Sequence, residues 1–498
     1  MGVVLRQSVK GTLSNYLGVV LGAFTMLILF PKLFEPDQIG LVRVLQDIGL
    51  LVATLSQVGI VNIIDRFFPY FHEDKTRNNG FVLLIILYPL IGFLLIFAFL
   101  VLFKDLWVDI YSDKSPLLVH YFIVVIPLAF FMLYQQVLEA YTRAVMRITV
   151  PIFVREVFLR LALIVFTLLY AFNCISFDAF IYSLILSYSF TVLILIFYLR
   201  HLKKLWVERF IYSKHKVLFK EMVKYGAIIF LTGFVAVLSA RIDVVMLSAV
   251  SLEMTGVYSI AFFMGTVIEM PKRAISQISI PLIANGWKNN DLTSLKQIYS
   301  RTSIVQTLIG GLFLTLLLVN IKDIFNLMPN SEAYITGITV VFIIGISRFV
   351  DMATGLNAEV IISSPFYRIN FFLTIFLGIS NIVFNSLLIP RYGMEGAAIG
   401  TLISYSLSNC IRILIIWIKT GMIPFTRASL GALLLSSALL ISVYLLNING
   451  QSLIESALII AVKSIVITVV FLLCTYKFKL SEDFNHLVDR YIKPQKNY

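Results

Sequence analysis

The sequence predicts an all-α integral membrane protein with about 14 transmembrane helices. Hydrophobic residues make up 59% of its 498 residues and charged residues only 13%, whereas a soluble domain carries about 25% charged residues. The apolar residues form continuous blocks, such as residues 81–103 and 181–199, and a spanning helix needs about 20 such residues. Strands of a membrane barrel would instead alternate over about 10 residues. The spans are therefore predicted to be helices.

Each predicted span is an apolar block between polar or charged segments, and several are longer than the hydrocarbon core requires. Arg6 and Lys10 precede the first block, as in a signal peptide, but that block is long and lacks a small-x-small cleavage site, so it is predicted to be the first helix. The predicted spans are residues 10–33, 38–64, 80–103, 116–140, 150–171, 178–199, 221–249, 255–280, 301–320, 333–358, 368–389, 393–418, 428–447 and 454–475.

Lysine and arginine are concentrated in alternate loops, which predicts the orientation. With the N-terminus in the cytoplasm, 29 of the 40 lysines and arginines fall in inner segments and five in outer loops. The protein is thus predicted to be a multi-pass protein of the cell (cytoplasmic or inner) membrane with both termini in the cytoplasm. Anionic headgroups account for the net charge of +13, so no nucleic acid partner is expected.

The order of the spans predicts two related halves. An offset of 216 residues aligns Gly40 with Gly256 and hairpins at both ends of a six-span unit. Because the unit has an even number of spans, the halves are expected to be parallel, related by a pseudo-two-fold axis along the membrane normal. The predicted parts are an N-terminal six-helix lobe at 1–200, a cytoplasmic basic linker at 201–220, a C-terminal six-helix lobe at 221–420, two additional transmembrane helices at 421–476 and a cytoplasmic amphipathic tail at 477–498.

Four short motifs carry a family resemblance. They are EPDQIG at 35–40, Arg-Ile-Asp at 241–243, Gly-Val-Tyr at 256–258 and NIVFNSLLIPRYGMEGAA at 381–398. With fourteen spans, they make the chain resemble the polysaccharide transporter family, which includes the O-antigen flippases, of the multidrug/oligosaccharidyl-lipid/polysaccharide flippase superfamily. The resemblance covers nearly the whole chain, and it implies a two-lobed transporter that works by alternating access.

Charges within spans are the candidates for function, because a charge at mid-membrane costs about 2.5–3.5 kcal/mol. Arg43 with Asp47 and Glu156 with Arg160 are four residues apart and are expected to pair on one helix face. Arg348 with Asp351, three apart, is a third local pair that could be purely structural. The other charges predicted within spans are Glu139, Arg241, Asp243, Glu359, Arg412 and Lys463.

The resemblance places spans two and seven along the cleft between the lobes, and with them Arg43 and Arg241. A guanidinium can bind phosphate through two parallel hydrogen bonds, so these two arginines, with Arg348 as a third, are the predicted cationic site for a pyrophosphate. Asp47, Asp243 and Asp351 are candidates for ion coupling or for charge pairing. Arg412 and Glu359, near predicted cytoplasmic ends, are expected to reach the membrane surface, and no partner for Lys463 is evident.

Other classes of site are not indicated by the sequence. It has no G-x-x-x-x-G-K-[ST] phosphate loop, and its five histidines and three cysteines have no metal-ligand spacing. No cofactor and no metal are therefore expected. The longest predicted outer loop, 104–115, is too short for the active site of a polysaccharide polymerase or ligase, so the chain is predicted not to be an enzyme.

The predicted function is a flippase that moves a lipid-linked (polyprenyl-pyrophosphate) oligosaccharide from the cytoplasmic to the outer leaflet, as the resemblance implies, for surface polysaccharide or O-antigen biosynthesis. The expected partners are this cargo, membrane lipids and other polysaccharide-assembly proteins. The alternative is a cation-coupled multidrug extrusion antiporter of the same superfamily, for which an acidic cavity containing Asp47, Asp243 or Asp351 would be needed.

Overall fold

The computed structural model of the protein describes residues 2–71, 80–205, 212–446, 450 and 452–492, and within these ranges it contains helices and turns but no β-strand. The chain forms two compact units, Met1–Gly256 and Val257–Tyr498. The predicted lobe boundaries stay a prediction, and residues 206–211 of the predicted linker and 493–498 of the predicted tail lie outside the described residues.

The first unit contains twelve helices and the beginning of a thirteenth. Two of its helical runs are interrupted by π-helical turns, Thr25–Leu29 and Val154–Phe158, and one by a 3-10 turn, Phe122–Val124. The helices are α1 (Gly2–Phe24), α2 (Phe30–Leu33), α3 (Pro36–Ser56), α4 (Ile60–Phe71), α5 (Phe81–Leu102), α6 (Lys104–Tyr111), α7 (Pro116–Tyr121), α8 (Val125–Ala144), α9 (Thr149–Phe153), α10 (Leu159–Ala171), α11 (Phe177–His201), α12 (Tyr212–Ser248) and the start of α13 (Leu252–Thr266).

The second unit continues from α13 and contains a further nine helices in the described part of the chain. A 3-10 turn, Val267–Glu269, follows α13 directly, and two more, Ser331–Ala333 and Ile335–Gly337, precede α17. The helices are α14 (Met270–Lys288), α15 (Leu292–Val319), α16 (Ile321–Leu327), α17 (Ile338–Ala353), α18 (Asn357–Ile362), α19 (Arg368–Thr420), α20 (Arg427–Leu446), α21 (Leu453–Lys477) and α22 (Glu482–Ile492).

The helix lengths confirm the predicted all-helical membrane class. Among the described residues, ten helical runs are long and apolar enough to cross a membrane. One of them, Arg368–Thr420, covers two predicted spans and bends at Gly393, whose φ of 56° and ψ of −130° interrupt the helix. Three other predicted spans correspond to the run 149–171, which contains a π-helical turn, to the run 252–288, which contains a 3-10 turn, and to Arg427–Leu446. The count is thus close to the predicted fourteen.

Two details of the prediction are wrong. The second span was expected to be continuous over 38–64, but α3 ends at Ser56 because Val58 (φ 44°) and Gly59 (φ 78°) turn the chain before α4. A Cβ on Gly59 would lie 2.4 Å from the carbonyl oxygen of Gly226, so the turn requires glycine both for its φ and for the close approach of α12. The predicted loop 104–115 is also partly helical, since it contains α6.

The EPDQIG motif begins α3, and its last residue, Gly40, lies at the contact of α3 with α13. Glu35 and Gln38 form a capping box, and Pro36 occupies the first turn, where its missing N–H costs nothing. One turn later Gly40 meets Gly256: a Cβ on Gly40 would lie 2.1 Å from the Leu252 carbonyl oxygen, and one on Gly256 would lie 1.8 Å from that of Pro36. The two glycines aligned by the internal repeat therefore permit backbone contact within the first unit.

The tail is helical, as its amphipathic pattern predicts. Helix α22 follows α21 after a short turn, and the Asn485 side chain donates to the Tyr476 carbonyl over 2.9 Å while the Tyr476 hydroxyl donates to Asp489 over 2.8 Å. Arg301 of α15 lies 3.4 Å from Glu482. These contacts hold α22 against α21 and α15 of the second unit.

Candidate functional site

Helix α3 carries the first part of the candidate site. Arg43 and Asp47 lie one helical turn apart, and Arg43 Nε is 3.0 Å from Asp47 Oδ2. The Asp47 side chain is only 4% exposed, and a buried carboxylate needs a compensating charge. The predicted pairing of these two residues is confirmed.

Helix α12 brings a second arginine to the same carboxylate. It packs along α3 within the first unit, and Arg241 Nη1 lies 3.3 Å from Asp47 Oδ1. Two guanidinium groups therefore share one carboxylate, which leaves one positive charge in excess. The arginine side chains remain 21% and 29% exposed, and each guanidinium has more N–H donors than its contact with Asp47 uses.

Helices α10 and α11 place further polar side chains near this cluster. Tyr188 of α11 lies close to Arg43, Arg241 and Arg160. Arg160 lies 3.2 Å from Glu156, as predicted, but its Nη1 is buried and has no hydrogen-bond partner among the described residues. A Cβ on Gly22 of α1 would lie 2.9 Å from that nitrogen, so glycine makes room for the guanidinium.

The Glu156 carboxylate is shared in turn. Arg155 Nε donates to it over 2.9 Å, and Arg155 Nη1 also donates to Glu139 of α8. Arg155 and Arg160 are thus balanced by Glu139 and Glu156. Arg43 and Arg241 differ from these two arginines in that both face the same carboxylate, Asp47.

The second unit contains its own buried network, centred on Asp351. Lys272 of α14 forms an ion pair with Asp351 of α17, and Asn409 of α19 donates to the same carboxylate over 2.9 Å. Asn357 donates to Asn409 over 3.3 Å and accepts a hydrogen bond from the Tyr299 hydroxyl. The network joins α14, α15, α17, α18 and α19.

Arg348 is paired differently from the prediction. Its Nη1 donates to Glu269 over 3.2 Å rather than to Asp351, and its guanidinium stacks over Phe262 and Tyr405, 5.3 and 4.8 Å from the ring centroids. The predicted local pair fails because Lys272 occupies the Asp351 carboxylate. The Arg348 side chain is 7% exposed, so it is much less accessible than Arg43 or Arg241.

Two other predicted charges lie close to this network. Glu359 accepts a hydrogen bond from Ser276 over 2.8 Å. Arg412 is buried, and it interacts electrostatically with Asp351 and Glu359, which corrects the expectation that its side chain reaches the membrane surface. Lys272 and Arg348 therefore each form an ion pair, whereas Arg412 Nε is buried without a hydrogen-bond partner among the described residues and Arg273, 79% exposed, touches Glu269 only at 3.9 Å.

Asp243 is not on the face of α12 that carries Arg241. Arg241 and Asp243 are two residues apart, and at about 100° per residue their side chains are separated by about 200° around the helix. The Asp243 side chain is buried, with 3% of the residue exposed. The structure thus brings Asp47 to Arg43 and Arg241, and it brings Asp351 to Lys272.

A buried ion pair in the second unit is absent from the sequence-based expectations. Lys463 of α21 lies 2.8 Å from Asp323 of α16, which is fully buried and also accepts from the backbone N–H of Gly450 over 2.9 Å. The only sequence signal is that a lysine within an apolar span requires some acid. Among the described residues, no group of three His, Cys, Asp or Glu side chains is arranged to hold a metal ion.

Comparison with known proteins gives a family and a fold. The family model for polysaccharide biosynthesis proteins matches residues 8–287, whereas no curated protein matches the chain in sequence. The structure is similar to the lipid II flippase MurJ in its inward closed conformation, with a TM-score of 0.75 and 13% identity over 96% of this chain and 100% of that chain.

Two further solved structures share the fold. An inward-facing multidrug resistance MATE family transporter of the MOP superfamily gives a TM-score of 0.64 and 15% identity, over 82% of this chain and 94% of that one. A MOP superfamily transporter from Pyrococcus furiosus gives 0.53 and 15%, over 84% and 95%. At these identities the likeness is one of fold.

Proposed function

Because the chain belongs to the polysaccharide biosynthesis protein family and has the fold of membrane flippases and transporters, we propose that it moves a lipid-linked oligosaccharide from the cytoplasmic to the outer leaflet. The cargo is a polyprenyl-pyrophosphate oligosaccharide for surface polysaccharide such as O-antigen, and the mechanism is alternating access in the cell membrane, with both termini in the cytoplasm.

The observation that carries the proposal is the pairing of two arginines with one aspartate in the first unit. A pyrophosphate brings about two negative charges and many acceptor oxygens, and guanidinium groups bind such oxygens through parallel, charge-assisted hydrogen bonds. Arg43 and Arg241 together supply one uncompensated positive charge and partly exposed donors. When cargo binds, we expect the phosphates to take over N–H groups that are not held by Asp47.

The same arrangement separates a role in binding from a role in folding. One arginine is sufficient to neutralise Asp47, so removal of either Arg43 or Arg241 leaves a neutral pair rather than a buried unpaired charge. The first unit should therefore keep its stability while it loses affinity for an anion. A purely structural ion pair would have needed only one of the two arginines.

Arg348 remains a predicted third ligand, but its burial and its contacts with Glu269 and Tyr405 favour a role in holding the second unit together. Ion coupling through Asp47, Asp243 or Asp351 likewise stays a prediction. Asp47 and Asp351 are already engaged by cationic side chains, so an ion that coupled through either one would have to displace an arginine or a lysine.

The alternative, extrusion of cationic drugs in exchange for cations, would need a cavity with excess negative charge. Asp47 is matched twice over by arginine, which disfavours binding of a cation at that carboxylate. The two functions can be separated by cargo class, since the flippase requires a phosphate-bearing lipid and the antiporter a cationic drug.

Transport of a polyprenyl-pyrophosphate oligosaccharide into the outer leaflet of vesicles tests the proposal. Arg43→Ala and Arg241→Ala should each reduce flipping by about tenfold to a hundredfold, since charge-assisted hydrogen bonds contribute about 1.5–3 kcal/mol. Arg43→Lys should restore only part of the activity, because an ammonium lacks the planar fork. Arg143→Ala is the matched control, since Arg143 pairs with Asp65 through two hydrogen bonds but is 44% exposed.

A double variant distinguishes cargo binding from simple neutralisation. If the loss in Arg43→Ala arises only because Asp47 requires both arginines for neutralisation, Arg43→Ala with Asp47→Ala should flip cargo as well as the wild type. If Arg43 binds cargo, the double variant should remain impaired like the single arginine variant. Recovery in the double variant, or full activity in both single arginine variants, would overturn the assignment.

A further inference from the structure

A cavity of about 490 Å³ lies in the first unit, between the end of α5 and the helices α6 and α7. Most of its wall is apolar, with Leu118, Val119 and Phe122 on one side and Leu100 and Val108 on the other. The volume is in the usual range for small-molecule sites, roughly 300–1,000 Å³. It is separate from the cluster of Arg43, Asp47 and Arg241, since none of these three lines it.

The short helix α6 explains why a cavity forms here. The chain leaves α5 at Phe103 (φ −104°, ψ 29°) and turns into an eight-residue amphipathic helix. Leu106 and Ile110 are 55% and 47% exposed, although they are large apolar residues, so α6 fits the boundary between headgroups and acyl chains. By the positive-inside count, this end of α5 faces the outer leaflet.

The polar groups that line the cavity are mainly donors. Lys104 lies at its edge, and an ammonium can only donate. The indole Nε1 of Trp107 is buried and has no hydrogen-bond partner among the described residues, although an indole N–H in such a place ordinarily has one. His120 also lines the cavity, whereas the acids of α6, Asp105 and Asp109, do not.

We propose that this cavity binds one phospholipid of the bilayer, with an anionic headgroup. The headgroup phosphate accepts hydrogen bonds from Lys104 and the Trp107 indole, and an acyl chain occupies the apolar part beside Leu118, Val119 and Phe122. A lipid is the occupant that the surroundings favour, because the wall continues into exposed apolar surface at Val101, 53% exposed, and Ile123, 62% exposed.

Two hydrogen bonds connect the segment that carries α6 and the start of α7 to the helix that carries Arg241. The Tyr111 hydroxyl, in the cavity wall, donates to the Val245 carbonyl over 3.4 Å, and Ser115 Oγ donates to the Ser248 carbonyl over 2.5 Å. Val245 and Ser248 follow Arg241 by one and two helical turns on the same face of α12. A bound lipid therefore rests on the segment that fixes the outer end of α12.

Native mass spectrometry of the purified protein with added phosphatidylglycerol or phosphatidylcholine of the same acyl chains tests the proposal. The wild type should retain one phosphatidylglycerol molecule in preference to phosphatidylcholine. Lys104→Gln should bind phosphatidylglycerol about tenfold more weakly, whereas Lys114→Gln, in the same connection but outside the cavity wall, should bind it like the wild type. Val119→Phe should also lose the lipid because it fills the cavity, with Val165→Phe on the exposed face of α10 as its control.

A second measurement keeps the test decisive where a variant folds poorly. This measurement uses vesicles of phosphatidylcholine with a small fraction of phosphatidylglycerol that is brominated on its acyl chain, since bromine quenches nearby tryptophan fluorescence. Quenching that occurs in wild type but not in Trp107→Phe therefore reports a lipid beside Trp107 in the cavity. We expect stronger quenching by brominated phosphatidylglycerol than by brominated phosphatidylcholine, and no difference in Lys104→Gln. Equal quenching by both lipids, or phosphatidylglycerol retained equally by Lys104→Gln and wild type, would overturn the proposal. Neither readout depends on transport.

Discussion

The two units balance their buried charges differently. In the first unit, Arg43 and Arg241 share the single carboxylate of Asp47, and their side chains are 21% and 29% exposed. In the second unit Lys272, Arg348 and Lys463 each form an ion pair with a different acid, and Arg348, 7% exposed, is enclosed by Glu269 and two aromatic rings. The ion pairs of the second unit thus join helices one to one, whereas the sharing of one acid by two arginines in the first unit is the basis of the proposed anion site.

The largest expected effect is on the most deeply buried ion pair of the second unit. Lys463→Met leaves the fully buried carboxylate of Asp323 without its cation, which should destabilise the protein by about 3–5 kcal/mol. Lys463→Met with Asp323→Asn should recover much of that loss. Thermal unfolding in detergent measures both, and equal stability of the single variant and wild type would contradict a structural role for the pair.

A smaller effect is expected when the same substitution is made at an arginine of each unit. Arg348→Ala leaves Glu269 without its buried partner and should cost about 1–3 kcal/mol, whereas Arg241→Ala leaves Asp47 paired with Arg43 and should cost no more than about 1 kcal/mol. Unfolding midpoints of the two variants test this order. The comparison between the units fails if Arg241→Ala is the less stable of the two.

Glycine to alanine substitutions compare the backbone requirements of the two units. Gly393→Ala in the second unit should destabilise the protein by about 1–3 kcal/mol, because φ 56° with ψ −130° is accessible essentially to glycine alone. Gly233→Ala in α12 of the first unit meets no atom within 4 Å and should be neutral or stabilising by about 0.5–1 kcal/mol. Unchanged stability in Gly393→Ala would show that glycine is not required for the bend.

The smallest effect is expected at the surface of the second unit. Arg301 lies 3.4 Å from Glu482 and 3.7 Å from Asp483, and all three side chains are at least half exposed. Such pairs contribute about 0–1 kcal/mol and weaken with salt. Hydrogen exchange of α22 should therefore rise by roughly twofold at high salt, and Glu482→Gln with Asp483→Asn should remove that dependence; an unchanged salt response would exclude these ion pairs as its cause.

The sequence was sufficient for most membrane spans and for the charge pairs four residues apart. Apolar blocks determine where helices cross a bilayer, and a spacing of four residues determines that Arg43 faces Asp47 and that Glu156 faces Arg160. The ion pair that a spacing of three residues predicted between Arg348 and Asp351 does not form. At that site two oppositely charged residues from the earlier helical run 252–288, Glu269 and Lys272, form the ion pairs with Arg348 and Asp351 instead.

Contacts between helices could not be predicted, because a periodic pattern gives the face of a helix but not its neighbour. Lys272 and Asp351 are 79 residues apart, and Lys463 and Asp323 are 140 apart. The convergence of Arg43 and Arg241 on Asp47 depends in the same way on the packing of α12 against α3. The contact of Gly40 with Gly256 was not predicted either, since the internal repeat gave only their equivalent positions in the two halves.

We expect the positive charge that Arg43 and Arg241 carry beside Asp47 to bind a phosphate-bearing lipid. Equilibrium binding of a polyprenyl pyrophosphate to the purified protein measures this, with Arg241→Ala and Asp47→Asn as the variants. Arg241→Ala should bind about tenfold more weakly, and Asp47→Asn should bind as tightly as wild type or more tightly, because the competing carboxylate charge is gone. Unchanged affinity in Arg241→Ala together with lost binding in Asp47→Asn would overturn the proposed anion site.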